Sequence, residues 1–236
     1  MPQYADLHIL PHPENLPMCQ KIAETLSVAG YCTIGLTVPT GLFRDKVTSL
    51  RQVFLDNGLE VVLRVDLGSR SRDELLRSLR RFRPSYDVIA VKCLSEHVAR
   101  VACRDRRVDL VFFDLENPRI RFNHALANLI RGSIEVNLVS AILHSLKRSV
   151  YGAISKTFLI AQEHNVKVVL SSGSDKPEEI RSPIQIAALA TTLGLLQRTA
   201  HDAVASTPMS IVAENGERHS RDYIEEGVRV VLSRAR

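Results

Sequence analysis

The chain has 236 residues and a mass of 26.3 kDa, which is enough to bury a core without disulfides or structural metals. Apolar residues make up 45% and charged residues 24%, so wholesale disorder is excluded. Lys and Arg number 31 against 26 Asp and Glu, a net charge of +5, and 24 of these cations are Arg. Because guanidinium binds phosphate and carboxylate bidentately, this excess indicates a polyanionic partner; a plain solvated surface is the alternative.

Other features of the composition exclude further classes. There is no Trp and aromatic residues make up 5%, too few for a single-strand binder built on stacked bases. The four Cys form no CxxC pair, which indicates reduced thiols in a reducing compartment. Neither a signal peptide nor a membrane-length apolar run is present, so we expect a soluble, cytoplasmic protein.

Short apolar runs alternate with amphipathic segments from one end of the chain to the other. Strands are predicted at 4–9, 31–38, 59–67, 86–92, 108–113, 133–136 and 167–170. Helices are predicted at 14–29, 43–56, 71–82, 95–105, 123–131, 138–165, 183–193, 196–206 and 215–234.

This alternation predicts an α/β fold with a parallel sheet and right-handed crossovers. About seven near-even units and roughly ten helices favour a single TIM-like barrel over residues 1–236, with an irregular eighth position near 209–212. No GxGxxG follows the first strand and no GxxxxGK[ST] occurs, so nucleotide binding loses its main support.

Polar residues recur where the predicted strands end, which is where such barrels place their function. These residues are Asp6, His8, Thr37, Arg64, Asp66, Lys92, Asp114, Glu116, Glu135, Asn137 and 171–174. The alternative is that they are ordinary solvated strand tips.

Two enzymatic hypotheses follow from these strand ends. PHP and amidohydrolase barrels begin with H-x-H, whereas this chain has Asp6-Leu7-His8, and few later imidazoles fall at strand ends. A hard-metal phosphoesterase centred on Asp6 and His8 would therefore need other carboxylates, namely Asp66, Asp114 and Glu135. A Schiff-base aldolase built on Lys92 is the second hypothesis.

The positive charge is concentrated in the middle of the chain. Residues 64–131 contain 15 basic and 9 acidic side chains, whereas the remainder contains 16 basic and 17 acidic ones. In a barrel these residues belong to consecutive units, so they predict a basic sector that would bind RNA phosphates. Ordinary solvated helix faces are the alternative.

Several motifs resemble the ribonuclease P protein component 3 family of archaea and eukaryotes. They are the opening residues 4–8, the strand and turn at 167–174, the Ile-Arg-Ser-Pro at 180–183, and the stretches 189–195 and 203–211. The S-S-G-S strand end followed by R-S-P is the most specific of them, and the chain length is typical of the archaeal members.

The resemblance implies a PHP-like TIM barrel without the PHP metal set, although His8 leaves open a vestigial metal contact with Asp6. It implies a subunit that is not catalytic by itself and holds no cofactor. The chemistry, removal of the 5′ leader from precursor tRNA, would belong to the RNA subunit with Mg²⁺. The implied partners are the ribonuclease P RNA, precursor tRNA and protein component 2, in a heterotetramer with two copies of each protein; no membrane is involved.

The expected RNA contacts combine this resemblance with the charge pattern. They are Arg181 and Lys176 first, then Lys92, Arg64, Lys46, Arg106, Arg107, Ser171, Ser172 and Ser182. Arg181 and Ser182 precede Pro183 at a predicted helix start, where backbone N–H groups could bind an anion. Alternatively, Ser182 is only a helix cap and Arg181 pairs with Glu178 or Glu179.

Overall fold

Seven parallel strands form the sheet, paired in the order of the chain from β1 to β7. The computed structural model describes residues 3–115, 120–143 and 148–218, and the backbone of 223–225 and 228–229. The strands are β1 Ala5–Ile9, β2 Thr33–Thr37, β3 Glu60–Leu67, β4 Val88–Lys92, β5 Leu110–Phe112, β6 Ser133–Asn137 and β7 Val168–Ser171. The seven-stranded barrel predicted from the apolar runs is confirmed.

Helices follow each strand of the sheet along the chain. They are α1 Leu16–Ala29, α2 Arg44–Asp56, α3 Arg72–Phe82, α4 Glu96–Arg104, α5 His124–Ala127, α6 Leu138–Leu143 and α7 Arg148–Glu163, followed by a 3-10 helix Pro177–Glu179, α8 Pro183–Thr192, α9 Gln197–Asp202 and α10 Ser206–Arg218. Short polar side chains begin several of them, since the hydroxyls of Ser71 and Ser95 accept hydrogen bonds from backbone N–H groups in the first turn.

Among the described residues, no further strand of this sheet lies between β7 and β1. Ile9 and Ser174 form a single parallel bridge at the carboxyl ends of these strands. Nearer their amino ends, Ala5 N–H donates to the Val204 carbonyl at 3.1 Å and Leu170 N–H donates to the Ala203 carbonyl at 3.0 Å. The irregular eighth position is therefore 203–204, and the prediction of 209–212 is wrong because those residues lie in α10.

The last long helix, α10, covers the amino-terminal end of the barrel. Its Ile211 and Val212 are buried in one cluster with Ala5, Val88 and Leu110, which are the first residues of their strands. Apolar burial against the strand starts thus explains why α10 closes this end, so that side-chain access to the barrel interior is left at the carboxyl ends.

Three predicted helices differ in the structure. The predicted helix 215–234 is wrong, since α10 ends at Arg218 and Tyr223–Glu225 pairs antiparallel with Val228–Arg229 as β8 and β9. Aromatic and β-branched residues there favour strands. The segment 123–131 contains the single turn α5, and 138–165 contains α6 and α7, with 144–147 outside the described residues.

Within the described ranges, no helix combines the length and the apolar character that crossing a bilayer requires.

Candidate functional site

A buried arginine occupies the carboxyl end of the barrel interior. The Arg64 side chain on β3 is 0% exposed, and its two terminal nitrogens donate to the Glu135 carboxylate at 2.5 and 2.6 Å. Its Nε donates to Asp66 Oδ1 at 2.6 Å, and Nη1 also donates to the Leu7 carbonyl at 2.8 Å. The guanidinium thus joins three strands, and its donors are satisfied inside the protein.

His8 and Asp6 extend this network: His8 contacts Asp66, the same carboxylate that Arg64 binds, whereas Asp6 accepts backbone N–H groups. His8 Nδ1 is 2.8 Å from Asn137 Oδ1, and His8 Nε2 is 3.2 Å from Asp66 Oδ2. The Asp6 carboxylate accepts the backbone N–H groups of His8 at 3.1 Å and of Ser172 at 3.1 Å. Both side chains are buried, so they act here as parts of an internal polar network.

The two aspartates of this site have opposite pKa shifts. Burial alone raises the pKa of Asp66, but the charge of Arg64 and the hydrogen bond from His8 outweigh it, so the pKa lies well below the usual range. Burial raises the pKa of Asp6, and the hydrogen bonds from Ser172 and His8 offset this only in part. Asp66 is thus held as a carboxylate, whereas the charged form of Asp6 is disfavoured.

We expect Asp6→Asn to be more stable than the wild type at about pH 8, and the difference to shrink toward about pH 4. A raised pKa means that wild-type stability is present at low pH and is lost as pH rises through the folded-state pKa of Asp6. Each unit by which the pKa is raised corresponds to about 1.4 kcal/mol. Urea unfolding across this pH range measures the difference; one that does not vary with pH would contradict the shift.

The residues at this mouth do not fit the metal centre of a PHP-type hydrolase. Asp66 and Glu135, which a hard-metal site would need, already bind the Arg64 guanidinium. A divalent cation among them would face that fixed positive charge at the same oxygens, which disfavours its binding. Asp6 and His8 alone offer too few ligands, so no step of a reaction is assigned to a metal here.

An open cleft of about 270 Å³ lies next to this network, between β4, β5 and β6. Its rim includes Lys92, whose Nζ is 3.6 Å from Asp114 Oδ2, with both side chains partly exposed. A solvated ion pair is not the apolar pocket in which a nucleophilic lysine is activated, so the aldolase hypothesis loses support. Lys92 does remain accessible to an anionic partner from the cleft.

The motif that follows β7 is mainly structural. Ser171 and Ser172 are fully buried, and the Ser171 hydroxyl donates to Glu135 at 2.8 Å. Ser182 caps α8 and forms a reciprocal capping box with Gln185, which satisfies donors that an anion would otherwise use. Arg181 Nη1 donates to the carbonyls of Glu178 and Ile180 rather than to a carboxylate.

The predicted RNA contacts therefore fall into two groups. Arg64, Ser171 and Ser172 are enclosed, so their side chains offer RNA no surface in this structure, and their contact with RNA stays a prediction. The other seven reach the surface. Several of them have nearby acidic partners: Lys176 pairs with Glu179, Lys46 with Glu14 and Arg107 with Asp105. The seven also include Lys92, Arg106, Arg181 and Ser182.

The arginine-rich middle of the chain gives an exposed surface on consecutive outer helices. We define the arginine sector as eight exposed arginines on α3, on α4, in the loops next to them and just before β6: Arg70, Arg72, Arg77, Arg80, Arg81, Arg104, Arg106 and Arg131. Arg100 on α4 is left out because it pairs with Glu96 of the same helix. Arg83 is excluded, because it turns inward to Asp109 at 2.6 Å. Glu116 and Arg119 lie outside the described residues.

The arginine sector continues to a cleft at the amino-terminal end of the barrel. Its volume is about 290 Å³, and four cationic side chains line it together with two acidic ones. These residues are Arg106, Arg131, Lys167, Arg218, Asp109 and Glu214. Sequence reasoning missed this cleft, because Lys167 before β7 and Arg218 at the end of α10 meet Arg106 and Arg131 only in the folded barrel.

Arg64 also could have been placed inside the barrel from the sequence. Side chains two apart on a strand share a face, so Arg64 lies on the same side of β3 as Val62, which is buried in the barrel core. Glu135, at the end of β6, was a candidate partner of opposite charge for Arg64. The signal in the sequence was that Arg64 stands two positions after the apolar Val62, on the face of β3 that points into the barrel.

Fold and site together define a seven-stranded TIM-like (β/α) barrel whose mouth contains a buried arginine–carboxylate network. The family model described as RNase P subunit p30 matches residues 3–220, and the chain belongs to that family. The resemblance found in the sequence motifs is thereby confirmed.

Individual relatives agree with this family. Ribonuclease P protein component 3 of Methanosarcina barkeri is 27% identical over 242 residues, covering 98% of this chain and 96% of its own. The Methanothermobacter thermautotrophicus protein of the same name is 28% identical over 196 residues, covering 80% and 78%. A chain from a cryo-EM structure of archaeal ribonuclease P with mature tRNA has a TM-score of 0.81 at 17% identity, covering 97% and 99%.

Proposed function

We propose that this protein binds and stabilises the catalytic RNA of ribonuclease P, together with protein component 2. The RNA, with Mg²⁺, would then remove the 5′ leader from precursor tRNA, so the complex rather than this chain is the endoribonuclease. The observation that carries the proposal is the match of residues 3–220 to the RNase P subunit p30 family. The buried Arg64, which binds the carboxylates that a hydrolytic metal would need, supports the part of the proposal that this chain is not itself the catalyst. Family membership supports the assignment to this complex.

The physical mechanism is neutralisation of RNA phosphates. Folding a large RNA brings phosphates together, and arginines that contact them reduce the repulsion and release condensed counterions. The arginine sector spans α3 and α4, which are neighbours on the barrel exterior. With so few aromatic side chains, contacts to the phosphate backbone and to RNA shape are favoured over stacking on splayed bases.

The partners named in the proposal have different support. A chain of similar fold occurs in the solved archaeal ribonuclease P with mature tRNA, which supports RNA and tRNA as partners. Protein component 2, the assembly with two copies of each protein, and action in the cytoplasm follow from the family resemblance and belong to the proposal.

Removing three sector arginines tests the RNA interface. We expect Arg77→Ala/Arg80→Ala/Arg104→Ala to weaken binding to ribonuclease P RNA at least about tenfold and to lower the salt slope by two to three, since each lost phosphate contact removes about one. Filter binding over a range of salt concentrations measures both quantities.

Arg198→Ala is the matched control, because this arginine is exposed on α9, outside the arginine sector. Its RNA affinity and salt slope should equal those of the wild type. Equal losses in the control and the triple variant would refute a localised interface. Phosphoester hydrolysis by the purified chain with Mn²⁺, abolished by Asp6→Ala, would refute the non-catalytic role.

A further inference from the structure

Two histidines and a glutamate meet on the outer helices, outside the network at the barrel mouth. His124 begins α5, while Glu163 and His164 stand at the carboxyl end of α7, and these two helices are in contact. One possible ligand atom from each residue lies within 4.8 Å of the other two. Neither the proposed RNA interface nor the arginine network uses these side chains.

The spacing of these atoms matches the coordination shell of a small metal ion. His124 Nδ1 is 3.0 Å from His164 Nε2 and 3.6 Å from Glu163 Oε2. In a tetrahedral zinc site with bonds of about 2.0–2.1 Å, neighbouring ligand atoms are about 3.3 Å apart. Both observed separations are within about 0.3 Å of that value, and the ligand atoms of Glu163 and His164 lie within 4.8 Å of each other, so side-chain rotations can bring all three atoms into one coordination shell.

The second nitrogen of His164 has the partner that a metal-binding imidazole usually has. His164 Nδ1 is 2.9 Å from Asn128 Oδ1, and the amide oxygen there accepts a proton only if Nδ1 carries it. This arrangement leaves the lone pair on Nε2, which faces His124. Asn128 thereby fixes both the ring orientation and the tautomer that a metal requires.

We propose that His124, Glu163 and His164 form a binding site for a first-row divalent transition metal of the Zn²⁺ type. Two imidazoles and one carboxylate form a ligand set that binds such ions in preference to Mg²⁺ or Ca²⁺. The His124 and Glu163 side chains are 61% and 48% exposed, so a fourth coordination position faces solvent. The bound ion would add a third link between α5 and the end of α7, beside the His124–His164 and Asn128–His164 hydrogen bonds.

Titration of the full-length chain with ZnCl₂ by calorimetry, and with CoCl₂ by visible absorption, tests the site. We expect one ion per chain, with a d–d spectrum of low-symmetry Co²⁺ that Zn²⁺ displaces. His124→Ala and Glu163→Gln should each weaken binding at least about tenfold, and Asn128→Ala should weaken it about 10–100-fold by releasing the His164 ring.

His97→Ala is the control, since His97 is an exposed histidine on α4 outside the cluster. It should bind both ions like the wild type. The thermal midpoint of each variant without metal verifies that it is folded. Wild-type affinity in His124→Ala, loss of binding in His97→Ala, or no Co²⁺ spectrum at millimolar ion would each overturn the proposal.

Discussion

Replacing Arg64 with Met is expected to destabilise the fold by about 3–5 kcal/mol, the usual cost of leaving buried charges without a partner. Met has a similar length and lacks charge, so the substitution keeps much of the volume while Glu135 and Asp66 lose their guanidinium. Urea unfolding at neutral pH, followed by circular dichroism, measures the loss. A change below about 1 kcal/mol would show that the network does not hold the strands together.

The pH dependence of this variant provides a second readout. The lowered pKa of Asp66 means that its contribution to stability is present above the unfolded carboxyl pKa of about 3.9 and is lost as pH falls. The advantage of the wild type over Arg64→Met should therefore narrow under acid. Arg64→Met/Glu135→Gln removes one of the orphaned charges, so it should recover part of the loss measured for the single variant.

Gly35→Ala is expected to cost at least about 3 kcal/mol, or to prevent folding, because the barrel wall leaves no space beside this residue. A Cβ on Gly35 in β2 would lie 2.3 Å from the Leu7 carbonyl oxygen and 2.7 Å from the Leu7 Cα. Both are backbone atoms of the neighbouring strand, which cannot rotate away. The same carbonyl accepts a hydrogen bond from Arg64, so the clash would also disturb the internal network.

Gly152→Ala is the matched control for this prediction. Gly152 lies inside α7, and an added Cβ would meet no atom within 4 Å. Alanine in a helix interior should stabilise by about 0.5–1 kcal/mol relative to glycine. Thermal unfolding of the two variants should move in opposite directions; equal midpoints would contradict the steric account.

The barrel itself was predictable because period-two and period-3.6 patterns are local properties. The branched residues of β2 and β3 and the capped start of α3 are visible in short windows of sequence. The closure at 203–204 was not, since those residues carry no strand pattern. Their role depends on two N–H donors from β1 and β7, nearly two hundred and more than thirty positions away.

The site was predictable only in part, for a related reason. Strand ends identified the mouth of the barrel, but charge alone cannot tell an arginine that faces solvent from one that faces a carboxylate on a distant strand. Arg64 and Arg83 therefore counted toward the basic surface, although both turn inward. Lys167 and Arg218 were overlooked because the fold, not the sequence spacing, brings them to the same cleft.

Closing the barrel with residues 203–204 has a consequence for synthesis of the chain on the ribosome. Until that segment has been translated, β1 and β7 remain edge strands, with the N–H groups of Ala5 and Leu170 open to pairing with another chain. The contacts that complete the fold are thus among the most distant in sequence, which makes closure a late and slow event. A nascent chain stalled before this point would be prone to edge-to-edge aggregation.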